Sequence, residues 1–202
     1  MRRLFLLLAS LSVLVSALPA QAQTQSDHTA NFANAICAAC HGANGISISP
    51  IFPKLAGQNA SYLETQLKAF RDHSRADPDA QAYMWGMASR LNDTMIQNLA
   101  HYYASLPPSS GTPGPANEVK AGEAIFQNGI KAENVPACEA CHGAAAQGIG
   151  SFPRLAGQQK AYIVRQLMAF KAGSRSNPIM MNIAAKLNAK QMQDLAAYLQ
   201  SL

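Results

Sequence analysis

Two short segments carry side chains of the kind that do chemistry: Cys37-Ala38-Ala39-Cys40-His41 and Cys138-Glu139-Ala140-Cys141-His142. On a helix, Cys-x-x-Cys sets two thiols about one turn apart, so both can add to the two vinyl groups along one edge of a haem. The histidine that follows then lies over the iron as its proximal ligand. A zinc site would need a second Cys/His pair with zinc-like spacing, and neither segment has one. A redox dithiol would need a βαβ setting, which the sequence lacks. All four cysteines of the chain fall in these two segments. Their identical placement before a histidine favours haem over the disulfides that four cysteines in an exported chain would otherwise suggest.

The opposite face of each iron needs a second ligand, and a methionine thioether suits an electron carrier because it stabilises the ferrous state. Methionine is also an ordinary core filler, so an internal register has to choose among Met84, Met87, Met95, Met168, Met180, Met181 and Met192. Counted back from the shared Leu91-Asn92 and Leu187-Asn188, Met84 matches Met180, and no other methionine meets a methionine. His41 with Met84 and His142 with Met180 are therefore the expected axial pairs, with Met87 and Met181 in reserve. The carbonyls of Pro53 and Pro153 could orient the two histidines, or the prolines could simply make rigid turns. Tyr62, Gln66, Arg75 and their partners Tyr162, Gln166 and Arg175 could bond haem propionates, and equally could line a solvated helix face. Trp85 has no twin and reads as packing; His28, His73 and His101 have no counterparts and read as ordinary histidines.

These side chains sit within a duplication. Phe52-Pro53-Lys54-Leu55-Ala56-Gly57-Gln58 returns as Phe152-Pro153-Arg154-Leu155-Ala156-Gly157-Gln158 at an offset of 100 residues, and Ser105-Leu106 returns as Ser201-Leu202 at an offset of 96. The difference places about four extra residues between Pro78 and Met84, a lengthened loop ahead of the first methionine ligand. Helical spacing runs over Tyr62 to Phe70 and Tyr162 to Phe170, and over the stretches after the N-caps Asn92 and Asn188. Asn117 to Phe126 reads as another helix; Asp27 to Ile36 is a weaker one. Pro107 to Pro115, rich in proline and glycine, suits a semi-extended linker. The reading is all-α, two tandem helical domains over 23–106 and 116–202, each wrapped around one haem. Units of about 85 residues this rich in alanine hold little apolar volume of their own, and a buried porphyrin would complete each core.

Arg2 and Arg3, the apolar run from Leu4 to Leu18, and Ala20-Gln21-Ala22 make a secretory signal over residues 1–22. The run is shorter than a spanning helix requires and breaks at Pro19. Its removal leaves 180 residues with 14 Lys+Arg against 11 Asp+Glu, a net of +3. Four propionates would bring this to about −1, and no cluster of Lys or Arg is arranged to track a nucleic acid.

Together the two Cys-x-x-Cys-His units, the Phe-Pro-(Lys/Arg)-Leu-Ala-Gly-Gln segments and the methionine-containing stretches resemble the dihaem cytochrome c4 family over nearly all of the mature chain. That resemblance implies two class I cytochrome c domains packed together in the periplasm, sometimes at the membrane surface. It implies two covalently bound haem c groups and electron delivery from a respiratory donor towards a terminal oxidase. It also supports both His/Met pairs. The expected role is thus an electron carrier and not an enzyme. The alternatives are the haem subunit of a flavocytochrome-type dehydrogenase or a dihaem enzyme such as a peroxidase or thiosulfate dehydrogenase. Matching methionines in both halves leave no open iron position for the enzymatic reading.

Overall fold

The computed structural model describes residues 27–202; the expected signal peptide lies outside the described residues. The fold is helical, and among the described residues the one β-type contact is an isolated bridge between Ile130 and Val135. The first domain has α1 (27–41), α2 (Ala60–Arg71), α3 (78–88) and α4 (Asp93–Ser105). The second has α5 (Ala116–Asn128), α6 (Glu139–His142), α7 (Lys160–Lys171), α8 (Pro178–Lys186) and α9 (Ala189–Ser201). No helix among the described residues is long and apolar enough to cross a membrane.

Local chemistry explains the helix starts. Asn92 accepts the Met95 N–H at 2.9 Å. Asn188 accepts the Gln191 N–H at 2.9 Å while the Gln191 side chain accepts the Asn188 N–H at 2.7 Å, a reciprocal capping box. Pro178 occupies the first turn of α8, where its missing N–H costs nothing, and Asn177 accepts the Met180 N–H at 3.0 Å. The apolar faces then pack inward. α4 buries Ile96, Leu99, Ala100 and Tyr103, and α9 buries Met192, Leu195, Ala196, Tyr198 and Leu199, each within its own domain's core.

The four extra residues ahead of Met84 do not lengthen a loop. Pro78 and Pro178 both sit in the opening turn of a helix, with Met84 six residues on and Met180 two. Four residues are close to one helical turn, so the insertion returns the methionine to the same face. α3 absorbs it through a wide, π-type stretch at Ala80–Met84. The stretch 27–36, weak in its sequence pattern, is helical and runs into the first Cys-x-x-Cys-His segment through a second π-type stretch, Ala33–Cys37.

The domains meet across a local two-fold relationship. Gln58 donates to the Arg154 carbonyl at 2.9 Å and accepts the Arg154 N–H at 2.7 Å. Gln158 donates to the Lys54 carbonyl at 3.0 Å and accepts the Lys54 N–H at 2.9 Å. Deeper in the join, Arg75 donates to Gln66 of its own domain and to Gln166 of the other, both at 2.8 Å. Arg175 mirrors it, donating to Gln166 at 2.7 Å and to Gln66 at 3.0 Å. Each half offers the same face to the other, the geometry of an isologous dimer within one chain. At the rim the symmetry lapses: Arg165 pairs with Asp79 at 2.8 Å, while position 65 in the first half is a threonine.

The segment between the domains is a strap rather than a free spacer. Thr112 N–H donates to the Gln200 carbonyl at 2.8 Å. Pro108 lies so close to Gly57 that a Cβ there would come within 2.8 Å of the proline ring.

Two facing candidate cofactor sites

Each Cys-x-x-Cys-His segment closes a helix on its histidine, α1 on His41 and α6 on His142, and both imidazoles are buried. His41 Nδ1 lies 2.8 Å from the Pro53 carbonyl, and His142 Nδ1 lies 3.0 Å from the Pro153 carbonyl. A carbonyl only accepts, so Nδ1 carries the proton and Nε2 keeps its lone pair. The rings are braced edge-on by Phe52 and Phe152, with centroids 6.1 Å apart in each case. Burial holds both histidines below the ordinary imidazole pKa, partly offset by the bond to proline, so they are neutral at pH 7. The prolines thus both make rigid turns and hold the imidazoles.

Burial pushes the Cys37 thiol above its usual pKa and Cys138 up to about 11. These are sequestered thiols, unlike the exposed low-pKa cysteines of redox sensors. No disulfide joins any of the four.

A continuous cavity of about 730 Å³ runs through both domains. Its wall includes Cys37, Cys40, His41 and Met84 from the first half and Cys138, Cys141, His142 and Met180 from the second. All eight expected residues are therefore gathered on one surface. Met84 packs against the first core and Met180 against the second. Met87 also reaches the wall but is 56% exposed, whereas Met181 lies off it.

Tyr62, Gln66, Arg75, Tyr162, Gln166 and Arg175 do not form a solvated face. They make the crossing of the two domains, with Arg75, Gln166 and Arg175 buried and the other three half-buried, and they line the cavity there. Asp77 joins them, with its carboxylate 2.8 Å from Arg75 and its side chain 2% exposed. Burial works against ionisation of Asp77, but the adjacent guanidinium outweighs it and holds the carboxyl below its usual range. Sequence reasoning passed over Asp77 because its counterpart is Asn177, which caps α8 instead.

This crossing tests whether a haem suits the cavity. Among the described residues it buries two guanidinium groups but one carboxylate, and Asp77 makes its ion pair with Arg75, while Arg175 rests on Tyr62, Gln66, Gln166 and the face of Phe170 at 4.5 Å. A buried cation without a counter-charge is costly. The anionic propionates of a haem would supply the charge that is wanting, and the apolar wall would suit its macrocycle. The donor set and the cavity fit the group.

Trp85 packs as expected, stacked on His73 with centroids 4.0 Å apart, and it also donates to the Arg75 carbonyl at 2.8 Å. His73 is therefore tied to the crossing through this tryptophan. His28 and His101 are exposed.

Comparison with known proteins agrees with this picture. The cytochrome c family profile matches twice, over residues 29–107 and 119–202. Cytochrome c-552 of Acidithiobacillus ferridurans is 44% identical, over 99% of this chain and 88% of that protein. A thiosulfate dehydrogenase electron acceptor of Thiomonas intermedia is 38% identical, over 98% of this chain and 90% of that protein. The solved structure of Acidithiobacillus ferrooxidans cytochrome c4 superposes with a TM-score of 0.79 at 47% identity, covering 82% of this chain and 98% of that one.

Proposed function

The chain belongs to the cytochrome c family as a tandem, dihaem electron-transfer cytochrome with two covalently bound haem c groups, and from that premise we propose which residues hold them and what the protein serves. Cys37 and Cys40 anchor the first haem through thioethers, and Cys138 and Cys141 the second. His41 with Met84 would hold the first haem iron, and His142 with Met180 the second. Haem iron ligated on both faces exchanges single electrons without binding substrate. The chain's part is to keep that exchange undisturbed. Pro53 and Pro153 fix the histidine tautomer and ring orientation. The paired cores exclude water. Arg75 and Arg175 would meet the propionate charge where the domains cross.

The observation that carries this reading is the gathering of two matched Cys/Cys/His/Met sets on one cavity wall. With each iron held on two sides by these residues, the protein would serve as an electron carrier. A spectroscopic redox titration of the holoprotein tests it: two haems per chain, each ferric centre showing the weak thioether-to-iron charge-transfer band. One haem, or no such band, would overturn the assignment.

Residues 1–22 direct export, and the mature protein works in the periplasm, free or at the membrane surface. Mass spectrometry of the mature protein should find Gln23 at its N-terminus. Its partners are redox proteins, a respiratory donor on one side and a terminal oxidase or similar acceptor on the other. A second reading, service to a dehydrogenase, draws support from the Thiomonas intermedia relative, which is named as the electron acceptor of thiosulfate dehydrogenase. Reduction of the holoprotein by such an enzyme plus thiosulfate, at a rate above that given by a respiratory donor complex, would favour it.

A further inference from the structure

The two halves use one matched position in opposite ways. Asn177, exposed at the head of α8, spends its side-chain oxygen on the Met180 N–H as a helix cap. Its counterpart Asp77, at the head of α3, is buried, and its carboxylate turns inward to accept from Arg75 Nε at 2.8 Å. The Asp77 backbone still opens the helix, its carbonyl accepting the Gln81 N–H at 3.1 Å. Both residues line the cavity, so the two walls differ here by a full negative charge. Seating an arginine does not by itself call for that charge. Arg175, the twin of Arg75, is held by Gln166, Tyr62 and Gln66, and its own half offers it only the neutral Asn177 at this position.

We propose that Asp77 tunes the first haem, its fixed negative charge lowering the midpoint potential of that centre more than that of the second. The inference rests on the haem placement proposed above. An anion disfavours the form of a nearby centre that carries one more electron, and burial spares it the screening of water and salt. Asp77 stands seven residues before Met84 on the same helix, about two turns, so it belongs to the wall of the first site. Arg75 does not confine its positive charge to that wall, because its guanidinium also reaches Gln166 of the other half at 2.8 Å. The adjacent guanidinium keeps the Asp77 carboxyl below its usual range, so the charge is present at pH 7. On reduction one electron enters from the titrant, no bond forms or breaks, and Asp77 stays ionised.

The test is Asp77→Asn holoprotein, titrated spectroscopically with dithionite and ferricyanide. One midpoint should rise, its reduced-to-oxidised ratio at fixed applied potential growing about fivefold, and the other should rise less. That factor is the order for one unit charge felt over about 15 Å at an effective dielectric of about 20. Repeating the titration in a Met180→Ala background under carbon monoxide, which keeps the second haem ferrous, reads the first centre alone; Met84→Ala under carbon monoxide reads the second. Asp77→Glu, which retains the charge, should leave both midpoints close to the parent's. An unchanged or falling first midpoint in D77N, an equal rise at both centres, or D77E behaving as D77N would overturn the proposal. If D77N does not fold, the same substitution in Arg175→Gln decides, because the double variant keeps the parent's net charge at the crossing. Its first centre should show the same fivefold gain over Arg175→Gln alone, and no gain would overturn the proposal. Carbon monoxide binding reports the ligand assignment, while the two midpoints of D77N without carbon monoxide report the unequal shift, so failure of one is seen apart from failure of the other.

Discussion

Gln58 and Gln158 each clamp the main chain of the opposite domain at the residue four places before the other glutamine, Arg154 and Lys54 respectively. Each carboxamide uses its N–H and its oxygen on one peptide neighbourhood, much as a neighbouring strand would. Gln58→Ala should therefore speed amide hydrogen exchange at Arg154 and leave Lys54 protected, and Gln158→Ala should do the reverse. Each variant loses two part-buried hydrogen bonds across the domains, at about 1–3 kcal/mol in thermal unfolding. Equal exchange changes at both amides in either variant would refute the reciprocal arrangement.

The methionine ligands can be tested one centre at a time. Met84→Ala and Met180→Ala should each abolish the thioether charge-transfer band of one haem and let its ferrous form bind carbon monoxide. Met87→Ala and Met181→Ala should leave both bands in place. Loss of a band in either of the latter would move the ligand to that residue.

Asp77 ties stability to pH. Its folded pKa lies below that of the unfolded chain, so the folded state prefers the ionised form. The resulting stabilisation is whole above about pH 5 and fades as pH falls through the carboxylate range towards the folded value. Asp77→Asn leaves Arg75 buried without its counter-charge, at about 3 kcal/mol. Denaturant melts should show this loss at pH 7 and a smaller gap between variant and parent at pH 3. A constant gap would mean the carboxylate charge is not the source.

Haem attachment and folding should be inseparable. A cavity of about 730 Å³, far larger than the void any single core substitution leaves, deprives both cores of packing when no haem fills it. Whole domains are stable by only about 5–15 kcal/mol. With all four cysteines changed to alanine and no haem supplied, the chain should lack a near-ultraviolet circular dichroism signal and be cleaved rapidly by protease. A sharp cooperative melt from that variant would show that the protein core suffices.

Much of the site was legible because its chemistry is local. Cys-x-x-Cys-His fixes a thiol pair and a histidine within five residues, and Asn92 and Asn188 announce their helices by capping them. The register that pairs Met84 with Met180 can be read because both halves end in the same helix. What escaped is long-range. Arg75 and Gln166 are 91 residues apart, and no pattern along the chain says that one half will lay its α2 face against the other's α7. The extra turn in α3 was hidden for another reason: an insertion of one turn looks in sequence like a longer loop, while in space it preserves the face. The prolines and glycines over 107–115 suit the non-helical path the segment takes but do not reveal that it is pinned.

Because each half presents the same face to its twin, the join consumes itself. A head-to-tail contact could be repeated by any further copy of the unit, as in a stacked array, but this one leaves no unmatched side to extend. Duplication of this kind stops at a pair, and it keeps the two redox centres enclosed with each other rather than strung along a wire.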